Sequence, residues 1–173
     1  MASISLTQNS IIKLKNNDNT MVAFDQLISS GIWKFTAKGN IIRNAAGIGI
    51  IDARQIEIPH PFNIRSSNNN NSICYFGETV WIKGIGKICS DSEEIKSGDE
   101  VSAIVDLESY PHAFNIKINN EIQPFTVISF PDRVKFILTF GTMNDEWEFI
   151  SLKELDKGPD LSRIEERWRF KYE

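Results

Sequence analysis

Acidic side chains in the middle of the chain are the residues whose spacing could support catalysis. Asp106 and Glu108 stand two residues apart in a run that begins with Asp99, and Lys117 follows in the segment HAFNIKINNE. Two carboxyl groups on one inward face could act as a general acid and a general base, as in glycoside hydrolysis. The alternative is that these acids lie on the outside of a β-hairpin and do no chemistry.

The alternation of residue types favours the hairpin. Residues 100–107 and 112–119 alternate with a period of two, which is typical of strands with one buried face. We therefore expect Asp106 and Glu108 on the solvent face, with Lys117 as a cross-strand neighbour that contributes roughly 0.2–1 kcal/mol. Gly98-Asp99 and Asn119-Asn120 suit turns, because Gly and Asn tolerate a positive φ. The side chains predicted to face inward are Val101, Ala103, Val105, Leu107, Phe114, Ile116 and Ile118, and those predicted to face outward include Ser102, Ile104, Asn115 and Asn119.

Most of the remaining chain shows the same alternation, with turn signals between the runs. The predicted strands cover residues 11–15, 31–37, 47–52, 72–82 (two strands around Gly77), 125–129, 133–140 and 146–152. This spacing predicts an antiparallel sandwich or barrel. Gly47 and Gly49 leave one strand face flat, so that another layer can approach closely. The Asn-rich segment 68–71 is interpreted as a loop tip with no packing demand.

The chain from residue 156 onward differs from the rest, so we divide it into a β-sandwich over 1–155 and a tail over 156–173. Lys157-Gly158-Pro159 interrupts the strand pattern, and Ser162 with Glu165 fits a capping box. A short helix over 160–167 is expected, followed by an extended end that pairs with the sheet. The apolar side chains of the tail are expected to dock on the sandwich.

Composition limits the class of protein. The chain has 173 residues and a formal net charge of −4, and no basic stripe indicates nucleic-acid binding. Cys74 and Cys89 lie in apolar contexts and are interpreted as buried free thiols. The start of the chain lacks a signal-peptide pattern, and no apolar run reaches the length of a membrane helix. We therefore expect a soluble cytoplasmic protein with no membrane association.

Metal, cofactor and nucleophile motifs are not predicted. His60 and His112 each neighbour a proline and lack the spacing of metal ligands. The segment GIGKICS lacks the spacing of a phosphate-binding loop, and we expect Gly84 and Gly86 to permit a turn. The sequence also has no G-x-S-x-G motif.

Four segments in order resemble the SPRY domain family. They are SGIWKF, GIGIID, CYFGETVWIKGIGKI and KSGDEVSAIVDLESYPHAFNIKINNE, and the similarity spans about residues 10 to 152. The additional PRY segment of the longer variant is not recognisable. The resemblance implies a bent antiparallel β-sandwich of the concanavalin-like type. It also implies a non-catalytic adaptor that binds a peptide or a protein through loops at one edge of the sandwich.

By position in this pattern, four loops are predicted to form the binding surface, since loops on a rigid sheet scaffold often carry binding function. They cover residues 16–19, 42–44, 81–83 and 141–144. Arg43 and Trp81 lead the set because Arg and Trp are enriched at binding hot spots. Alternation does not decide the face on which Trp81 lies. The predicted partner-binding residues are Asn16, Asn17, Asp18, Asn19, Arg43, Asn44, Trp81, Lys83, Thr142 and Asn144.

Two other functions stay open. A lectin-like or glycan-cleaving sandwich would use Trp33, Trp81 or Trp147 as a stacking platform. Catalysis would also need paired inward carboxylates, whereas Glu146 and Glu148 are expected to bracket Trp147 on the outside. The third option is a structural domain whose sheet edge pairs with another chain.

Overall fold

The computed structural model describes residues 4–7, 9–13 and 18–173. Within them the chain forms fifteen β-strands and one 3-10 helix, Glu166–Trp168. The strands are β1 Ile4–Thr7, β2 Ser10–Lys13, β3 Thr20–Ala23, β4 Ile32–Ile41, β5 Gly47–Asp52, β6 Ser72–Phe76, β7 Thr79–Ile82, β8 Ile85–Ile88, β9 Glu100–Asp106, β10 Ala113–Ile118, β11 Glu121–Ile122, β12 Thr126–Ile128, β13 Val134–Phe140, β14 Glu146–Leu155 and β15 Arg169–Lys171.

The strands form two sheets, as the predicted fold class requires. The first sheet runs in the order β1-β2-β14-β4-β9-β10-β12-β15, with β11 paired to β10, and the second runs β3-β13-β5-β6-β7-β8. Among these pairs only β12 and β15 are parallel. The prediction of an all-β antiparallel sandwich is therefore confirmed.

The main core lies between the two sheets and follows the predicted alternation. Phe35 on β4 stacks on Phe136 of β13, with ring centroids 5.2 Å apart. Val101, Ala103 and Val105 on β9 have no exposed surface. Aromatic contacts of this kind add to the free energy gained by removing apolar surface from water.

A second apolar cluster covers the outer face of the second sheet. Phe62 and Ile64 from the long loop 53–71 pack there against Cys74, Phe76 and other apolar side chains. Asn70 anchors this loop, because its side-chain amide donates to the carbonyls of Ile64 and Ser66. The interpretation of 68–71 as a segment without packing demand is therefore wrong for Asn70, which is only 2% exposed.

The predicted Asn119-Asn120 turn after β10 is confirmed, whereas the predicted cross-strand neighbour of the acidic side chains on β9 is wrong. Asn119 and Asn120 have φ values of 49° and 70° and join β10 to β11. Lys117 lies opposite Ser102, whereas Asp106 lies opposite Ala113 at the other end of the strand pair. The predicted cross-strand pairing of Lys117 with the acids is wrong because the register separates them.

The outer face of β9 is also less exposed than predicted. Ser102 and Ile104 are 5% and 1% exposed. A Cβ added at Gly158 would lie 2.7 Å from Asp106 Oδ2, so the tail passes directly beside that carboxylate. The tail therefore lies beside the Asp106 end of this face, a long-range contact that alternation within β9 does not reveal.

The tail docks on the sandwich, as expected, but the predicted helix over 160–167 is wrong. The chain forms only the 3-10 turn Glu166–Trp168 before β15 pairs with β12. Trp168 and Phe170 pack against the main core, and Tyr172 belongs to it. A helix this short is marginal unless tertiary contacts stabilise it, and here the apolar contacts stabilise the extended form. The boundary at residues 155/156 stays a proposal.

Two glycine predictions change in detail. A Cβ at Gly49 would lie 1.8 Å from the Ile73 carbonyl oxygen, so the close approach is that of the neighbouring strand β6 and not of another layer. Gly84 has a φ of 83° in the turn between β7 and β8, as expected. Gly86 lies within β8, so its assignment to a turn is wrong.

Candidate functional site

Residues from three of the four predicted loops meet at one surface depression of about 270 Å³. Asn19 precedes β3, Asn44 lies between β4 and β5, and Thr142 follows β13. The loops come together because β3 and β5 both pair with β13, one on each side. The depression is lined by Asn19, Asn44, Ala45, Arg65, Gly141 and Thr142.

Asp145 determines the shape of the 141–144 loop. Its Oδ2 accepts hydrogen bonds from the backbone N–H groups of Gly141 at 2.9 Å and Thr142 at 2.7 Å. A Cβ at Gly141 would lie 1.7 Å from the Asn44 carbonyl oxygen, so this position requires glycine for the two loops to touch. Asn144, another predicted site residue, is exposed and has a φ of 70°.

Arg43 is exposed but does not project freely into solvent. Its Nη1 donates to the carbonyl oxygen of Met143 at 3.0 Å, which ties the 42–44 loop to the 141–144 loop. Arg43 lines a second depression of about 270 Å³. Asn44 and Ala45 line both this depression and the first one. Arg43 therefore holds the two loops together and also forms part of the surface.

Two buried ionisable side chains, Lys13 and Asp145, lie behind these loops. Lys13 and Asp145 have no exposed surface. Lys13 Nζ and Asp145 Oδ1 have no hydrogen-bond partner among the described residues. Burial lowers the pKa of Lys13, although the charges of Asp145 and Asp18 oppose that shift. Burial raises the pKa of Asp145, opposed by its backbone hydrogen bonds and by the charges of Arg43 and Lys13.

Trp81 lies on the outer face of the second sheet and is half-buried. Its ring stacks on Phe76 with centroids 5.5 Å apart and 5° between the planes. The Arg65 guanidinium lies 5.4 Å from the Phe76 ring centroid and 5.7 Å from that of Trp81. Through Arg65, the aromatic pair borders the depression formed by the other loops.

Lys83 is the predicted site residue that lies apart from the others. It occupies the turn between β7 and β8, and its Nζ lies 5.2 Å from the Tyr172 ring centroid in the tail. Asp18 is exposed at the start of the described segment before β3. Asn16 and Asn17 lie outside the described residues.

Sequence reasoning missed Arg65 and Ala45. The loop that carries Arg65 has no strand pattern, and the asparagine run beside it suggested an exposed tip. No local signal locates Arg65, because its position depends on how this irregular loop folds over the second sheet, where Phe62 and Ile64 find their partners.

The acids that raised the question of catalysis have structural roles. Asp106 Oδ1 accepts hydrogen bonds from the backbone N–H groups of Glu108 and Ser109, both at 2.9 Å. Glu108 Oε1 accepts from the Gly31 N–H at 2.8 Å. Asp99 closes its turn by accepting from the Lys96 N–H. Each carboxylate is thus oriented by backbone donors and not toward a second acid.

Other groups with reactive side chains are separate from one another. Cys74 and Cys89 are free and buried, as predicted, and burial raises the pKa of Cys74 to about 12. In the described part of the chain, no group of three or more His, Cys, Asp or Glu side chains is arranged to hold a metal ion. No helix among the described residues is long and apolar enough to span a membrane.

Comparison with known proteins connects this architecture to solved structures. No family model and no curated protein matches the chain. The SPRY domain of human HERC1 superposes with a TM-score of 0.64 at 10% identity, covering 91% of this chain and 96% of that one. The PSpry domain of TRIM65 gives 0.62 at 13% identity, with 86% of each chain covered. The two sheets, their strand order and these similarities show that the chain has a SPRY-type fold.

Proposed function

We propose that the chain is a protein-interaction module that binds a peptide or a protein surface through loops at one end of the β-sandwich. The observation that carries this proposal is the depression in which Asn19, Asn44 and Thr142 meet. These residues come from three loops far apart in sequence. Grouping of polar side chains from separate loops on a rigid scaffold is typical of binding surfaces.

The loops are held in place before any ligand binds. Asp145 fixes the 141–144 loop, and Arg43 joins it to the 42–44 loop. Thr139 Oγ1 donates to the Ala45 carbonyl at 2.9 Å, which attaches the same loop to β13. A surface preorganised in this way loses little conformational entropy on binding.

The shape and lining of the surface favour a peptide or a protein as the ligand, because two adjacent depressions share Asn44 and Ala45 and together form an extended polar surface. Exposed Asn44 and Arg65 line the first depression, and exposed Arg43 lines the adjacent one. Their side chains offer hydrogen-bond donors to a peptide backbone or to acidic side chains. Arg65 also contacts Trp81, so that apolar surface adjoins these donors.

The proposal includes non-catalytic action in the cytoplasm. The structural roles of Asp106, Glu108 and Asp99 support the first point, because their carboxylates are occupied by backbone donors. The free thiols of Cys74 and Cys89 support the second, since disulfides are rare in reducing compartments.

Selection of random 12-residue peptides on the purified protein tests the site. We expect Asn44→Ala and Arg65→Ala each to weaken the selected peptides at least tenfold in calorimetric titration, while the thermal midpoint changes by only a few degrees. Lys153→Ala is the matched control, because Lys153 is exposed on β14 of the opposite sheet. Peptides that bind both variants as tightly as the wild type would contradict this site.

A glycan array separates this function from the lectin alternative. Trp147 is fully buried, and Trp81 is half-buried against Phe76, so neither ring presents an open stacking face of the usual kind. We therefore expect peptide binding and no glycan binding. Strong glycan signals without any selected peptide would favour the lectin function.

A further inference from the structure

The strand β8 forms an open edge of the second sheet. It pairs with β7 on one side, and no described strand pairs with its other side. All four residues of β8 are exposed. Every other strand whose side chains are all described has at least one residue that is buried or half-buried. Ile85 and Ile88 are 59% and 62% exposed. An uncovered edge with apolar side chains is a template for pairing with another chain.

The hairpin geometry determines which backbone groups are available on this edge. Lys83 and Gly84 have φ values of 49° and 83°, and they form a two-residue turn closed by Ile82 and Ile85. Hydrogen-bonded pairs alternate along an antiparallel ladder. The N–H and C=O groups of Gly86 and Ile88 therefore point away from β7, where they can bond an added strand.

A groove of about 320 Å³ runs between this edge and the tail strand β15. Three of its lining residues are lysines, namely Lys83, Lys87 and Lys171, against one acid, Glu173. Lys83 Nζ is already positioned over the Tyr172 ring. The positive charge of the three lysines favours an acidic ligand. Ile82 and Ile85 give the groove an apolar floor.

We propose that β8 binds an acidic, extended segment of a partner protein by β-strand addition. The backbone of that segment pairs with Gly86 and Ile88. Its acidic side chains alternate toward Lys87 and Lys171, and its apolar side chains alternate toward Ile88 on the other face, because side chains in a strand alternate with a period of two. This surface is separate from the loop depression of the proposed function, and either can fail without the other.

Two blocked octapeptides of opposite charge test the proposal: one alternates Glu and Val, and the other alternates Lys and Val. We expect the Glu–Val peptide to bind at least tenfold more tightly and to slow amide hydrogen exchange at Gly86 and Ile88 by at least tenfold in NMR. Lys87→Glu should weaken binding at least tenfold. Lys153→Glu is the matched control with the same charge change, and it should leave binding unchanged.

Backbone pairing is tested without altering the protein. Only alternate N–H groups of an added strand face the sheet edge. N-methylation of every Val and N-methylation of every Glu should therefore have unequal effects, with one methylated peptide losing binding and the other retaining it. Equal binding of the two methylated peptides would overturn the proposal. So would absence of binding by the unmethylated Glu–Val peptide, or exchange protection at Asn44 and Thr142 in place of Gly86 and Ile88.

Discussion

At the scale of single residues, Asp145 connects buried electrostatics to the shape of the candidate site. Its carboxylate organises the 141–144 loop, while its burial disfavours the charged form. A folded-state pKa above the ordinary value of 3.8 means that the folded protein takes up this proton before the unfolded chain does. Protonation of Asp145 therefore favours folding as the pH falls.

This linkage predicts how Asp145→Asn behaves, since Asn keeps an acceptor for the loop N–H groups but does not titrate. The free energy of unfolding of the wild type should rise relative to that of the variant as the pH falls through the raised pKa. The gain should be complete below the ordinary value of 3.8. Urea unfolding of both proteins between pH 7 and pH 3.5 measures the difference, and a difference that stays constant across that range would contradict the linkage.

Asn70 gives a second prediction at this scale. Its buried side chain bonds the carbonyls of Ile64 and Ser66 and accepts from the Ser72 N–H. Asn70→Ala leaves these groups unsatisfied, so the free energy of unfolding should fall by about 1–3 kcal/mol. Asn68→Ala is the matched control in the same run, because Asn68 is exposed, and it should change stability by less than about 0.5 kcal/mol. Urea titration compares the two variants.

At the scale of elements, β5 and β6 approach too closely for a side chain at Gly49. Gly49→Ala places a Cβ against the Ile73 carbonyl, and backbone must shift to relieve the contact. We expect a loss of more than about 3 kcal/mol, as in severe core overpacking. Gly86→Ala in β8 meets only side-chain atoms of Trp81 and Thr79 at 3.2 Å or more, and should cost less than about 1 kcal/mol. Thermal melts that rank the two variants equally would contradict this account.

Sequence patterns predicted strands where turn signals bound an apolar run, and they failed where contacts from distant segments dominate. β5 begins and ends at the predicted residues, and β6 begins and β7 ends at the predicted limits of the 72–82 segment, because these apolar runs are bounded by clear turn signals. β8 was missed because Gly84 and Gly86 resemble a turn. The tail helix was wrong because Trp168 and Phe170 have better partners in the core than a helix would give them.

The candidate site was predictable only in part, for the same reason. Asn44 and Thr142 lie in loops because predicted strands flank each of them. The resemblance to a known sandwich fold then predicts that these two loops lie close together. The position of Arg65 depends on how a long irregular loop folds over the second sheet. No local pattern specifies that path, since Phe62 and Ile64 find their partners on strands that are distant in sequence.

At the scale of the whole molecule, the tail completes the first sheet and contributes to the main core. Tyr172 is 7% exposed and belongs to the core cluster, while its neighbour Glu173 is exposed. Tyr172→Ala should lower the free energy of unfolding by about 2–4 kcal/mol, since it removes a buried aromatic ring. Glu173→Ala is the matched control and should be close to neutral. Equal melting midpoints for these two variants would show that the tail is not part of the cooperative unit.

The strand order of the first sheet also sets the path across the sheet from β1 to β15. β1 and β15 occupy opposite edges of that sheet, seven strand spacings apart. At about 4.8 Å per spacing the path across the sheet is about 34 Å. Fluorophores attached to β1 and to β15 will therefore lie at opposite edges of the first sheet. A peptide that connects β1 to β15 along this path would need roughly ten or more extended residues.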